Sequence, residues 1–196
     1  HFSTAAVLSV RKDDYAKTKK VAEDAVVNSG LIYTVIRPSM MFGPLDDKNI
    51  GWLIKFSTWI PIFPIAGDGK YPRQPIYIDD IAQLIIAWTK EMEKGKLKNK
   101  IFRINGKALE FGYMCKTVVR KVGGLRFTMN FPAWFFKLAL SFYNLIVPDP
   151  QFTTDQVDSL TSGDLFDQRE WWKEYNIKLT PFDKGVENML KNKSNK

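Results

Sequence analysis

The run Asp13-Asp14-Tyr15-Ala16-Lys17-Thr18-Lys19-Lys20-Val21-Ala22-Glu23-Asp24-Ala25-Val26-Val27-Asn28-Ser29-Gly30-Leu31-Ile32-Tyr33-Thr34-Val35-Ile36-Arg37-Pro38 carries a helix and then a strand. Tyr15, Lys19, Ala22 and Val26 recur on one helical face. Asp13 and Asp14 suit the helix start and Gly30 suits its stop. Leu31 to Ile36 is a short β-branched and aromatic run of the kind buried in a parallel sheet. Arg37-Pro38 ends it, because proline leaves regular strand or helix, and Gly43-Pro44 completes a loop. Helix, strand and loop in that order are the rhythm of a βαβ protein. Within the helix, Tyr15 and Lys19 lie one turn apart on the same face. A fixed cation beside a phenol favours the phenolate and moves its pKa down from about 10 toward the range of a general acid/base.

Working outward, Lys48 to Trp59 predicts a helix, and the prolines of Ile60 to Ile65 exclude one. Gly67-Asp68-Gly69-Lys70 is a turn. Ile76-Tyr77-Ile78 is extended, and Asp79 or Asp80 caps a long amphipathic helix through Ile81, Leu84, Ile85 and Trp88 to about Glu93. Ile101 to Ile104 predicts a strand, and Leu109 to Val122 a helix closed by Gly123-Gly124. Phe131 to Val147 is the most apolar stretch. It falls short of the roughly 20 residues of a membrane span and holds Lys137. Two readings stay open for it: a helix packed in the core, or an interfacial helix that dips Trp134, Phe135 and Phe136 into a bilayer edge. Thr153 to Leu160, Gln168 to Tyr175 and Pro181 to Leu190 predict three short helices.

Bulk properties narrow the class. The chain has 196 residues, 45% hydrophobic and 26% charged, a composition that supports a real core. One cysteine, Cys115, excludes an intrachain disulfide framework and favours a reducing, cytoplasmic setting. One histidine, His1, argues against histidine catalysis, and no metal site is expected. Eleven basic residues face three acidic ones between Lys90 and Arg126, within a net charge of +8. That excess is either a solvated surface or a draw for anionic ligands such as nucleotide phosphates or lipid headgroups. No nucleic-acid motif accompanies it. His1-Phe2-Ser3-Thr4-Ala5-Ala6-Val7 has no signal-peptide pattern. It reads as the end of a buried strand already under way, which predicts the C-terminal part of a longer protein.

Four signals stand in order: Ser3-Thr4-Ala5-Ala6-Val7; Tyr15 to Lys19; Arg37-Pro38-Ser39-Met40-Met41-Phe42-Gly43-Pro44; and Arg73-Gln74-Pro75-Ile76-Tyr77-Ile78-Asp79-Asp80-Ile81-Ala82. The series resembles the short-chain dehydrogenase/reductase superfamily, in its extended or atypical branch of NAD-dependent epimerases and dehydratases. Thr153 to Val157 and Thr180 to Gly185 resemble the small lobe of the branch that includes complex I subunit-like members. The implied fold is α/β, the C-terminal half of a Rossmann-like doubly wound parallel sheet with a small, mostly helical substrate lobe. The sheet domain would take residues 1–45 and 76–105, and the lobe 46–75 and 106–196.

The resemblance implies roles. Thr4, with Ser3 as the alternative, would hydrogen-bond the substrate carbonyl or alcohol. Tyr15 would be the acid/base, and Lys19 would hold the nicotinamide ribose. Ser3, Tyr15, Lys19, Pro38, Ser39 and Met40 would form the cofactor side, with NAD or NADP as cofactor. Arg73 and Met41 would face the substrate, a small molecule that in related proteins carries phosphate or a nucleotide-sugar. Arg73 equally suits a salt bridge to Asp68, Asp79 or Asp80, and Arg37 suits bracing of its loop. A homodimer is compatible with the branch. Two departures stand out. Only eleven residues separate Thr4 from Tyr15, which removes a loop that builds the substrate side of nucleotide-sugar enzymes. No Gly-x-Gly-x-x-Gly turn follows a strand, so the phosphate cradle is expected in upstream sequence. The first functional reading is an NAD(P)-dependent oxidoreductase or epimerase/dehydratase. The second is a non-catalytic scaffold or assembly subunit of the same fold, associated with a membrane.

Overall fold

A computed structural model describes residues 1–9, 14–96, 98–146, 163, 165–166 and 169–194. A single 3-10 turn, Ala5–Leu8, follows the N-terminal extended residues. Next come helix α1 (Asp14–Val27), strands β1 (Thr34–Pro38) and β2 (Met40–Phe42), and helix α2 (Ile50–Trp59). Strands β3 (Ile62–Ala66), β4 (Pro72–Arg73) and β5 (Pro75–Tyr77) lead into helix α3 (Ile78–Glu93) and strand β6 (Lys100–Ile104). The rest comprises β7 (Leu109–Glu110), α4 (Phe111–Val122), β8 (Phe127–Phe131), α5 (Ala133–Ile146), α6 (Trp171–Glu174) and α7 (Phe182–Ser194).

The sheet expected from the βαβ rhythm is present. β1 pairs in parallel with β6, Val35 opposite Ile101 and Pro38 opposite Ile104. On its other side Phe2 bridges Ile36 in parallel, with Ser3 N–H on Ile36 O at 2.8 Å and Ile36 N–H on His1 O at 2.9 Å. Helix α1 is therefore the crossover between two parallel strands, as parallel pairing requires. β2 pairs with β5 and β3 with β8, both parallel, and β4 pairs antiparallel with β7.

Two buried clusters hold these pieces. Ile36, Ile76 and Ile104 of the strands pack on Ile81, Leu84 and Trp88, one face of α3, and on Trp171 and Trp172 of α6. The second cluster joins Leu53 and Ile54 of α2, Phe63 and Ile65 of β3, Met114 and Val118 of α4, and Val186 and Met189 of α7. The i, i+3, i+4, i+7 spacing of apolar positions in α3 and α4 is what lets one face of each go under.

The structure corrects several expectations. The strand runs from Thr34 through Pro38, not from Leu31. Leu31 and Ile32 stay exposed ahead of it, and Pro38 is accommodated as its last residue. The start of α3 is Tyr77, with no side-chain cap, and neither Asp79 nor Asp80 holds the capping position. Ile60 to Ile65 is not helical, as its prolines require, and Ile62 to Ala66 forms a strand despite Pro64, because among the described residues β3 pairs on one side only and a missing N–H is tolerated on an edge. Its partner β8 had no counterpart in the sequence reading. The α4 stop was read correctly: Gly123 takes φ 77° and its N–H returns to Val119 O. The helix expected over Thr153 to Leu160 lies outside the described residues. Of the Gln168 to Tyr175 helix, the described turn is α6.

One glycine fixes the junction beneath the site. A Cβ on Gly106 would lie 1.7 Å from Pro75 O, so the chain leaving β6 passes directly against the backbone of β5. Gly106→Ala is expected to cost about 3 kcal/mol, read as a lowered denaturant midpoint with unchanged slope. A midpoint within error of wild type would show that the close approach is not required.

Candidate active site

The C-terminal ends of the extended N-terminal residues and of β1 open onto one cavity of about 1110 Å³. The extended N-terminal residues supply Ser3, the two caps of the 3-10 turn supply Thr4 and Ser9, α1 supplies Tyr15, and the β1–β2 segment supplies Pro38, Ser39, Met40 and Met41. Arg73, Gln74, Ile78 and Phe166 close the far side. A crevice outside the carboxyl ends of parallel strands is the general ligand position in open α/β sheets.

Each group is placed by identifiable local physics. Thr4 takes extended dihedrals and its Oγ1 accepts the Ala6 N–H at 3.2 Å, which caps the 3-10 turn. The accepted bond leaves the hydroxyl proton free to be donated elsewhere. Tyr15 stands in the first turn of α1, is 57% exposed and lines the cavity. Lys19 sits one turn on, half-buried, with its Nζ donating to Phe2 O at 3.2 Å. Lys19 does not line the cavity, whereas Tyr15 does.

The Pro38–Met40 segment is fixed from two directions. Ser39 N–H donates to Ile104 O at 2.9 Å, and Ser39 Oγ donates to Gln74 O. Gln74, 4% exposed, in turn accepts the Phe166 N–H on its Oε1 at 2.9 Å. A single buried glutamine thus joins the β1–β2 loop to the stretch that closes the cavity. Arg73 is buried, with its guanidinium 5.9 Å from the centre of the Tyr71 ring. Among the carboxylates considered for it, Asp80 is engaged elsewhere. Asp80 Oδ1 accepts Thr180 Oγ1–H at 2.8 Å, and Oδ2 accepts Thr180 N–H at 3.0 Å. Burial raises the Asp80 pKa above its ordinary value, against the lowering effect of the two Thr180 bonds.

Sequence reasoning missed two supports. One is Gln74, just described. The other is Glu23, 1% exposed, whose carboxylate takes Arg37 Nε at 2.9 Å and Arg37 Nη2 on its second oxygen. Arg37 therefore ties α1 to β1, and does not brace the loop after it. The Arg37 bond holds the Glu23 carboxyl below its ordinary value despite the opposing effect of burial, with Ser3 and Lys20 adding to the lowering. The available signal was the position of Glu23, seven residues after the buried Ala16 and thus on the same helical face.

This arrangement has the fold of NAD-dependent epimerases and dehydratases. The chain superposes on a UDP-glucose 4-epimerase from Thermotoga maritima with a TM-score of 0.62 at 17% identity, covering 99% of this chain and 62% of that one. It superposes on a dTDP-glucose 4,6-dehydratase from Streptomyces venezuelae, solved with NAD bound, with a TM-score of 0.64 at 16% identity, covering 100% and 59%. The chain belongs to the 3-beta hydroxysteroid dehydrogenase/isomerase family, whose model matches residues 4–123. It is also 31% identical over 90 residues to the mitochondrial NADH dehydrogenase [ubiquinone] 1 alpha subcomplex subunit 9 of Arabidopsis thaliana, a match covering 46% of this chain and 22% of that protein. The chain thus spans less than two thirds of the length of these relatives.

Proposed function

We propose that this chain forms the nicotinamide and substrate side of an NAD(P)-dependent oxidoreductase or epimerase/dehydratase. The carrying observation is that Thr4, Tyr15 and the Pro38–Met41 segment, from three separate elements, line the same cavity. The family membership and the NAD named with the structural neighbours support the cofactor class. The chain fits that group at one end only. Its residues offer an apolar platform with the hydroxyls of Thr4, Tyr15 and Ser39, and the glycine turn for the pyrophosphate is not in this sequence.

Nicotinamide, when bound, supplies or accepts hydride. The residues here serve the proton and the position. Thr4 donates its free hydroxyl proton to the substrate oxygen, where negative charge develops. Tyr15 Oη gives or takes the alcohol proton at that same oxygen. Pro38, Ser39 and Met40 would hold the nicotinamide, and Ser3, whose hydroxyl is buried toward Glu23, would contribute through its place in the same wall. Lys19 leaves the Phe2 carbonyl to reach the ribose hydroxyls. Met41 and Arg73 bound the substrate, a small molecule with an anionic or carbonyl group for the guanidinium. In domain terms, residues 1–45 and 76–105 would carry the cofactor and residues 46–75 and 106–196 the substrate wall, the two being interleaved: Trp171 and Trp172 pack in the sheet cluster, and Phe42 and Tyr77 in the other.

The test is a titration of the full-length protein with NADH and NADPH, read by nicotinamide fluorescence. One of them is expected to saturate, and Lys19→Met to raise its Kd by at least about tenfold through loss of charged hydrogen bonds. Absence of binding by both would end the cofactor reading. A second reading is supported by the 31% identity with the plant subunit: a non-catalytic scaffold or assembly subunit of the same fold, for which a mitochondrial setting would replace the cytoplasmic one expected from the sequence. That reading allows cofactor binding and predicts no turnover at all.

A further inference from the structure

A run of exposed apolar residues, none of which lines the cavity, follows the β3–β8 ribbon and the start of α5. β3 turns Phe63 and Ile65 into the core, at 3% and 1% exposure. Alternation then sends Ile62 and Pro64 outward, opposite Phe127 and Met129 in register. Ile62, Phe127 and Met129 remain 39%, 52% and 42% exposed. The strip continues without a break, because Phe131 stacks on Phe135 at 5.1 Å and Phe135 meets Trp134 edge-on at 6.2 Å. Trp134 is 64% exposed. At the opposite end Trp59 and Leu125 are exposed at 70% and 97%, and Phe127 N–H bonds Pro61 O, which brings that corner together.

The charged residues of α2 and α5 are basic, and an acidic residue, Asp68, stands at one end of the strip, in the turn whose Gly67 N–H bonds Phe131 O. Lys55 Nζ lies 5.2 Å from the centre of the Trp59 ring. Arg126 donates to Thr58 O and Gly123 O, two backbone carbonyls at the same corner. Lys137 stands one turn after Trp134. No Asp or Glu occurs between Lys48 and Ala66 or between Phe111 and Ile146, the two stretches that build this face. A continuous apolar patch of this kind marks an interaction surface. Large aromatics with cations at the Trp59 corner and on α5, and a carboxylate only at the Asp68 end among the described residues of this face, match an interface that is apolar below and anionic at its rim.

We infer that the β3–β8 face with the start of α5 docks on an anionic lipid bilayer surface, the aromatics entering the headgroup boundary and Lys55, Arg126 and Lys137 meeting the phosphates. The attachment is peripheral: among the described residues no helix is long and apolar enough to cross a membrane. The inference stands independently of the cavity and its cofactor.

Flotation of the full-length protein with vesicles tests it. Phosphatidylcholine vesicles containing cardiolipin are expected to carry the protein up the gradient, while pure phosphatidylcholine carries much less, and added salt weakens the association. Phe127→Ser with Trp134→Ser, both exposed, is expected to lower the partition coefficient at least about tenfold with an unchanged circular dichroism spectrum. Lys55→Gln with Lys137→Gln, which leaves the apolar strip intact, is expected to lower it about fivefold per cation. NADH affinity should be the same in all variants. Failure to float with cardiolipin vesicles overturns the inference, as does flotation of either variant equal to wild type. A dimer mass that is abolished by the aromatic pair, without flotation of the wild type, would assign the face to a second copy of the chain and overturn the inference too.

Discussion

Tyr15→Phe in the full-length protein is expected to lower kcat by a factor of about 10² to 10⁴ while leaving the cofactor Kd within about twofold of wild type. The range is what a positioned proton donor contributes to a transition state. The substitution removes one oxygen from a ring that is already more than half exposed, so the fold has little reason to respond. Conserved cofactor affinity is the informative half of the result. It separates loss of the proton from loss of the binding site. If turnover is present and Tyr15→Phe leaves it unchanged, Tyr15 has no part in the chemistry. If neither protein turns over while both bind cofactor, the assembly-subunit reading is the one that stands.

Glu23→Ala is expected to have the largest effect on stability, about 3–5 kcal/mol, because it strands the Arg37 guanidinium inside the α1–β1 junction. Glu23 is 1% exposed and its partner side chain 12%. The pH dependence has a definite sign. The Glu23 carboxyl titrates below its ordinary value in the folded protein. A depressed carboxyl contributes stability that is fully present above its unfolded pKa, about 4.3, and lost as pH falls through the folded value. Wild type should therefore lose stability more steeply than Glu23→Ala as the solution is acidified below about pH 4.3. Parallel acid curves for the two proteins, or a loss below about 1 kcal/mol at neutral pH, would reduce the pair to a surface contact. Asp80 works in the opposite direction. Its raised pKa makes its ionised form the costlier one, so its contribution declines as pH rises through the folded value.

What the sequence disclosed followed the range of the interactions involved. The α1–β1 succession, the α3 and α4 faces and the Gly123 stop are encoded within single elements, where periodicity and glycine placement act locally. The residues that line the cavity were reached through ordered motifs, each set at the end of a strand or the start of a helix. The β3–β8 ribbon was not legible. Its strands lie 60 residues apart in sequence, β3 contains a proline, and an edge position tolerates what a central strand does not. Arg37 read as a brace of its own loop and Glu23 drew no reading, because their contact exists only once the crossover folds one element against the other. The Leu31-Ile32 pair was misread because hydrophobicity alone does not say where a strand enters the sheet.

The most direct measurement is the electron density of the full-length protein crystallised with its nicotinamide cofactor. The account predicts the nicotinamide ring against Pro38, Ser39 and Met40, with the Tyr15 and Thr4 hydroxyls converging on its open face and Lys19 turned from Phe2 O to the ribose. A cofactor seated elsewhere, or a Tyr15 hydroxyl facing away from the ring, would contradict it.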